Sequence, residues 1–483
     1  MDIQSINLVT LAPAISLAVG ALAVLVSDLM VAKGSRLTGG LAVITVVVAG
    51  AFVPATSGDQ TLCVEQACSY AVGPLTLALQ GITIAATAVV VLLSLVMVHD
   101  LRIPSGEYFF LILCSASGAM LVPATTDLVS LIVAFELVSL PTFALIGLNR
   151  ADRRAGEAAI KAFLFSVASV AVSLYGIALL YGSTGTVGFF PLFLTSAESD
   201  PTPVATAGLV MVLAVIAFKI SAVPFHAWAP DAYEGAPIPV AAFLSVVSKT
   251  SGFAALALVL ATFFAWYEIW APVVAAMAVL TMIIANTVAL RQRGAVRLLA
   301  WSSIAQAGYV LVPFGAVAAG VAGSDEYRDA VVAYLVVYAA MNLGAFSVVA
   351  LVSRQHPRAR IADFSGLAWR SPWLGFALAF FLACLAGLPP GIIGLFIKVQ
   401  VIAVPVATGA WWLAIAMAIA TVIGLAYYLP WAAVLFRRPE PDVEALPGTA
   451  GALPMQLAVG AMLAITVAMS VAPSLALGLL ERL

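Results

Sequence analysis

Along this chain apolar residues come in blocks of about twenty. Short polar clusters separate them: SGDQ (57–60), STGTVG (183–188), AESDPTP (197–203), RQRG (291–294), AGSDEYRD (322–329) and RRPEPD (437–442). At about 1.5 Å per residue, each block as a helix is long enough for a hydrocarbon core of about 30 Å. A helix also satisfies its backbone donors and acceptors within one segment, which hydrocarbon demands. The pattern predicts fourteen spans, near 7–28, 37–55, 74–98, 108–122, 127–147, 157–182, 205–223, 238–263, 269–290, 296–318, 328–353, 371–396, 410–435 and 453–478. The expected fold is an all-α integral membrane protein.

Composition narrows the function classes. The chain is 63% hydrophobic and 9% charged, which excludes a soluble domain of this size. It has no nucleotide-binding glycine loop and no basic patch, so the bilayer is an expected partner and nucleic acid is not. The first block begins within ten residues of Met1 without a basic flank, and reads as a retained span. Cys114 and Cys384 lie singly in apolar runs. Cys63 and Cys68 flank VEQA in a polar loop. Iron–sulfur or zinc ligation needs about four clustered ligands, so no metal site is expected. A Cys63–Cys68 disulfide is open to the chain if that loop faces an oxidising compartment.

Charge then sets orientation. Fifteen basic residues, from Lys33 and Arg36 to Arg437 and Arg438, fall in loops on one side of the fourteen-span pattern; only Arg328 and Arg482 fall on the other. The positive-inside rule puts the rich side in the cytoplasm and both termini outside. Of 21 Lys plus Arg, 15 + 2 leaves four. All four are lysines within or beside apolar segments: Lys161, Lys219, Lys249 and Lys398. Arginine stays charged, whereas a lysine can release and regain a proton.

A charge at mid-bilayer costs about 2.5–3.5 kcal/mol on insertion scales and marks a functional site. Glu136 lies in LIVAFELVSLPTF, Lys219 in AFKISAVPFHAW, Lys249 in FLSVVSKTSGF and Lys398 at the end of GLPPGIIGLFIK. Three central lysines against one carboxylate cannot all be neutralised in pairs such as Glu136–Lys219, which favours a hydrated proton path. Lys161 follows Glu157 near a cytoplasmic end, where snorkelling competes with a path role. His226 follows the seventh span and titrates near neutrality; His99 and His356 fall in loops. Asp231 and Glu234 read equally as a cytoplasmic mouth and as a solvated loop. Pro224 follows Lys219, and Pro389 and Pro390 precede Lys398. Such helix breaks free backbone groups and commonly line ion sites.

The two breaks suggest a repeat. Residues 108–263 form one five-helix unit and 269–435 a second, inverted one, each with its broken helix fourth. Residues 1–73 hold two helices and an external loop, 74–107 a third helix, and 453–483 the last. In place of Glu136 the second unit offers Ser302, Ser303 and Gln306.

The mid-span glutamate, the stretch FKISAVPFHAWAPDAYEGAP, the following SVVSK and the late Pro-Pro helix with its lysine resemble the antiporter-like subunits of respiratory complex I. The likeness covers roughly 74–435. The late lysine is similar to that of the N-type members. The chain departs from the family in carrying one extra residue before Gly394 and leucine at 395. The resemblance implies that Glu136 modulates Lys219, that Lys219, His226 and Lys249 pass protons along a central axis, and that Lys398 joins the axis to the outside or to the next subunit. It implies partners among other membrane-arm subunits, a bacterial plasma membrane, and no cofactor on this chain, with FMN, Fe–S clusters and quinone on other subunits. Multi-subunit sodium–proton antiporters and hydrogenase-type membrane complexes are similar over the same helices.

Overall fold

Each apolar block winds into helix. The computed structural model describes residues 5–31, 35–64, 67–150, 152–317, 326–438 and 451–477. The helices in chain order are α1 (Leu8–Met30), α2 (Ser35–Phe52), α3 (Pro74–Asp100), α4 (Ser105–Leu121), α5 (Leu128–Gly147), α6 (Arg153–Thr184), α7 (Phe189–Glu198) and α8 (Pro203–Ile220). They continue with α9 (Trp228–Gly235), α10 (Ile238–Phe243), α11 (Lys249–Thr262), α12 (Tyr267–Ala289), α13 (Ala295–Gly315), α14 (Glu326–Ser353) and α15 (Leu367–Arg370). The last are α16 (Pro372–Ala386), α17 (Ile392–Ala407), α18 (Trp411–Leu435) and α19 (Leu453–Val471). Among the described residues, 13 helical segments are long and apolar enough to cross a membrane, and the half-length pair α16 and α17 occupies the twelfth expected span.

Burial separates an inner set of helices from an outer one. The segment Ile238–Thr262, α13 and α14 are almost wholly enclosed by protein, whereas α1, α2, α6 and α19 keep much of their surface outside. Outward side chains on the outer helices are apolar, Leu22, Val47, Leu164 and Leu457 among them, as contact with lipid requires. Helices meet closely where small residues permit it. A Cβ on Gly176 of α6 falls 2.6 Å from the Gly208 carbonyl of α8, and one on Gly208 falls 2.8 Å from the Gly176 carbonyl.

Two spans are interrupted in the same way. Helix α8 ends at Ile220, Ser221 takes a left-handed conformation (φ 58°), and the chain passes the cis Val223–Pro224 bond before α9. Helix α16 ends at Ala386, Gly387 is left-handed (φ 81°), and the cis Pro389–Pro390 bond precedes α17. The lysine stands before the break in the first case and after it in the second.

Two sequence expectations change here. The twelfth span does not stop at 396: α17 continues to Ala407, so Lys398 sits inside a half-helix rather than at its end. The segment WAPDAYEGAP is not a loop, because α9 carries it as helix to Gly235. A proline ends one helix turn but leaves the chain free to start another.

Outside the helices, β1 (Gln60–Val64) and β2 (Ala67–Ala71) form an antiparallel hairpin in which Cys63 faces Cys68. The two are joined by a disulfide. The hairpin is tied down by Asn7 N–H to Thr61 Oγ1 (2.7 Å), Gln80 Nε2 to the Tyr70 hydroxyl (3.0 Å), and the Thr126 hydroxyl to the Cys68 carbonyl.

Candidate functional site

Lys219, Lys249 and Lys398 are 3%, 2% and 4% exposed. A lysine that deep must find hydrogen-bond acceptors or an ion partner. In all three cases the acceptors are neutral oxygens.

Lys219 stands in the last turn of α8 and reaches α5. Its Nζ donates to the Ser139 hydroxyl and to the Phe135 carbonyl (3.3 Å). The Ser139 hydroxyl in turn donates to the same carbonyl at 2.5 Å. The ammonium also lies 5.4 Å from the centre of the Phe135 ring, within cation–π range. Glu136, next in sequence, is within electrostatic reach of Lys219 but forms no ion pair with it within 4.0 Å. Its buried Oε1 has no hydrogen-bond partner. The simple Glu136–Lys219 pair is therefore not formed in this structure. Helical geometry explains it: Phe135 and Ser139 lie four apart on the face toward α8, and Glu136 is rotated about 100° from Phe135.

Lys249 opens α11 directly after a turn of π-helix, Leu244–Ser248. Such bulges are frequent at functional sites. Its Nζ donates to the Ser303 carbonyl of α13 at 2.5 Å. The same place gathers groups from α14: the Tyr338 hydroxyl bonds to Ser303 Oγ (2.7 Å) and to the Ser245 carbonyl of the π-turn (3.2 Å), and Asn342 Nδ2 to Ser245 Oγ (2.7 Å).

Lys398 of α17 turns back onto the end of α16. Its Nζ donates to the Leu385 and Ala386 carbonyls, each at 2.9 Å. Beneath it lies the Tyr309 ring of α13, 5.3 Å to the centroid. Lys219 over Phe135 and Lys398 over Tyr309 are matching arrangements beside the two helix breaks. Tyr309 continues into a polar group, with Asn286 Nδ2 on its hydroxyl (3.2 Å) and the Tyr427 hydroxyl on Asn286 Oδ1 (2.9 Å).

His226 lies in the segment between α8 and α9, half-buried, its Nδ1 without a hydrogen-bond partner. Its ring meets Trp301 edge-on at 5.7 Å, one residue before Ser302. It makes no hydrogen bond to Lys219 or Lys249. Pro224 is exposed, so this break reaches the surface of the chain.

Lys161 belongs to a different cluster. It pairs with Glu157 (2.6 Å) and Asp231 (3.0 Å). Arg297 pairs with Asp231 (3.2 Å) and Glu234 (2.5 Å). Together with Arg154 these residues line an open cavity of about 320 Å³. Asp231 and Glu234 thus stand on α9, engaged with cations from α6 and α13, and not in a free loop. Among the described residues no group of His, Cys, Asp and Glu is arranged to hold a metal ion.

Sequence reasoning passed over Ser139, Tyr309, Tyr338, Asn342 and Tyr428. One signal was readable: Tyr334, Tyr338 and Asn342 recur every four residues in an apolar span, a polar stripe on one helix face.

Comparison with known proteins decides the family. Residues 125–424 match the family described as NADH:quinone oxidoreductase/Mrp antiporter, TM. The chain belongs to that family. NADH-quinone oxidoreductase subunit N 2 of Streptomyces griseus is 47% identical over 465 residues, covering 93% of this chain and 86% of that one. NADH-quinone oxidoreductase subunit N of Salinispora tropica is 41% identical over 453 residues, covering 91% and 87%. Within the family the chain is thus of the subunit N type. Among solved structures, a chain of respiratory complex I from Thermus thermophilus with bound aureothin superposes with a TM-score of 0.79, 29% identity, and 97% and 98% coverage. A chain of the Mrp complex from Dietzia shares the fold, with a TM-score of 0.82 at 20% identity over 98% and 96%. The family and the apolar helices make this a multi-pass membrane protein.

Proposed function

We propose that this chain is a proton-translocating membrane subunit of an NADH-quinone oxidoreductase, moving protons along Glu136, Lys219, His226, Lys249 and Lys398. Quinone reduction occurs on other subunits, which carry FMN and Fe–S clusters. Its partners are neighbouring membrane subunits in a bacterial plasma membrane, and both termini face outward.

One observation carries this reading. Among the described residues, three buried lysines are held by carbonyl and hydroxyl oxygens alone, with no carboxylate bound to any of them. A structural ion pair locks a proton in place by matching it to a fixed negative charge. Neutral acceptors hold an ammonium without that lock, and the one hydroxyl among them, Ser139, can reorient as protons pass. Glu136 stands beside Lys219 without bonding to it, where a change in its position or charge acts on the lysine through space.

The test is proton pumping and NADH-driven quinone reduction by the assembled complex in liposomes. Lys219→Ala and Lys249→Ala are expected to impair pumping while the complex still assembles. Lys249→Arg is expected to impair it too, because arginine keeps its proton. Wild-type pumping by both alanine variants overturns the reading.

A further inference from the structure

The second broken helix has no counterpart of Glu136, yet α13, which packs against it, carries a buried polar side chain. Gln306 of α13 is 1% exposed, and its amide is held from three directions. The Tyr334 hydroxyl of α14 donates to Oε1. Nε2 lies 3.4 Å from the Leu385 carbonyl and 3.4 Å from the Tyr428 hydroxyl. Both exceed the usual N–H···O distance of about 2.9–3.0 Å. One end of the amide is anchored, and the other is shared between two acceptors.

Those acceptors lead in opposite directions. The Leu385 carbonyl also receives Lys398 Nζ at 2.9 Å. The Tyr428 hydroxyl is hydrogen-bonded to Ser302, and the next residue, Ser303, gives its carbonyl to Lys249. Gln306 therefore touches the acceptor of one lysine and, through one tyrosine, the helical turn that binds the other.

We propose that Gln306 is a positioning residue that couples the Lys398 site to the Ser302–Ser303 turn holding Lys249, by shifting its amide between Leu385 and Tyr428. While Lys398 occupies the Leu385 carbonyl, Nε2 stands 3.4 Å from both acceptors and keeps a contact to the Tyr428 hydroxyl beside Ser302. When Lys398 leaves, the buried carbonyl loses a donor, which costs free energy, and the amide turns to it. The Tyr428 hydroxyl is then released to reorient. Gln306 keeps its own protons throughout: Nε2 carries one hydrogen for each acceptor, one contact shortens as the other lengthens, and no bond to hydrogen is broken on it. By linkage the effect runs both ways, so the state of the Lys249 turn biases Lys398.

This inference rests on the proton-translocation reading, and the experiment separates the two. Gln306→Leu, Tyr428→Phe, their double variant, Gln306→Glu and Lys249→Ala are compared in the assembled complex in liposomes, with assembly checked by co-purifying subunits. Gln306→Leu and Tyr428→Phe are each expected to lower NADH-driven pumping at least threefold. The double variant is expected to be no worse than the weaker single one, as for residues acting as a unit. Gln306→Glu keeps the size and adds a titrating group, so the pH profile of pumping is expected to shift. A merely structural glutamine is distinguished by the double variant, in which the two losses multiply. Wild-type pumping by the two single variants beside an impaired Lys249→Ala, or losses that simply multiply in the double variant, overturns the coupling. Wild-type pumping by Lys249→Ala as well brings down the underlying reading instead. Should Gln306→Leu fail to assemble, Tyr428→Phe, which keeps the ring and removes one hydroxyl, decides the matter alone.

Discussion

Lys398 donates its ammonium to the carbonyl of Leu385, thirteen residues earlier, across a break in the helix. The last carbonyls of a helix have no N–H partner within it and carry the negative end of the dipole. The second half-helix thus supplies the cap of the first. Lys398→Met is expected to leave the Ala386 carbonyl without its donor and the Leu385 carbonyl to Gln306 alone, and to cost about 1.5–3 kcal/mol, the range for hydrogen bonds to charged groups. Thermal unfolding of the solubilised complex reads this, and an unchanged midpoint argues against the cap.

Ser139 is the hydroxyl nearest the Lys219 ammonium, and it passes its own hydrogen bond to the Phe135 carbonyl. Ser139→Ala removes the bridge and leaves the helix otherwise intact. Pumping is expected to fall several-fold, and Ser139→Thr, which restores a hydroxyl, to recover most of it. Equal rates in the alanine and threonine variants count against a role for the hydroxyl.

Gly394 sets how closely α17 approaches α16. A Cβ there falls 1.8 Å from the carbonyl oxygen of Cys384, a backbone atom that has no rotamer to change. Gly394→Ala is expected to destabilise by at least about 1–3 kcal/mol, as overpacking does, and to disturb the Lys398 cap. Gly81→Ala, where the added carbon meets nothing within 4 Å, is the control and is expected to melt with the wild type.

Lys161 is separable from the central lysines. Its side chain is 43% exposed and it already has two acidic partners. Ion pairs at such exposure contribute about 0–1 kcal/mol. Lys161→Gln is therefore expected to pump at close to the wild-type rate, with a small salt-dependent loss of stability. A loss as deep as that of Lys219→Ala places Lys161 on the path after all.

How much of this was legible beforehand follows from what kind of force each feature obeys. Span positions come from a local rule, the length of an apolar block, and the segments found at Leu8–Met30 or Leu128–Gly147 match it within a few residues. The twelfth span defeated the rule because α16 and α17 are two short helices whose junction is held by Gly394 and Lys398, contacts made across the break. Segment 228–235 defeated it from the other side. Its Asp231 and Glu234 look like a loop until Arg297 and Lys161, from distant helices, take up their charge.

The buried lysines were visible in the sequence because their cost is intrinsic: a charged residue in an apolar run has few explanations. Their partners were not visible. Ser139, the Ser303 and Leu385 carbonyls, Tyr309 and Tyr428 are ordinary residues or backbone atoms, and nothing in their type marks them. The chain alone determined that it crosses a membrane many times, that its arginines keep to the ends of the apolar blocks, and that three lysines and a glutamate lie among the spans. Only the tertiary structure decided that Glu136 stands apart from Lys219, that Lys398 caps the half-helix before it, and that Gln306 lies between two lysine sites. Hydropathy acts on each residue in place, whereas a hydrogen bond depends on which helices pack together and on which face they turn to each other.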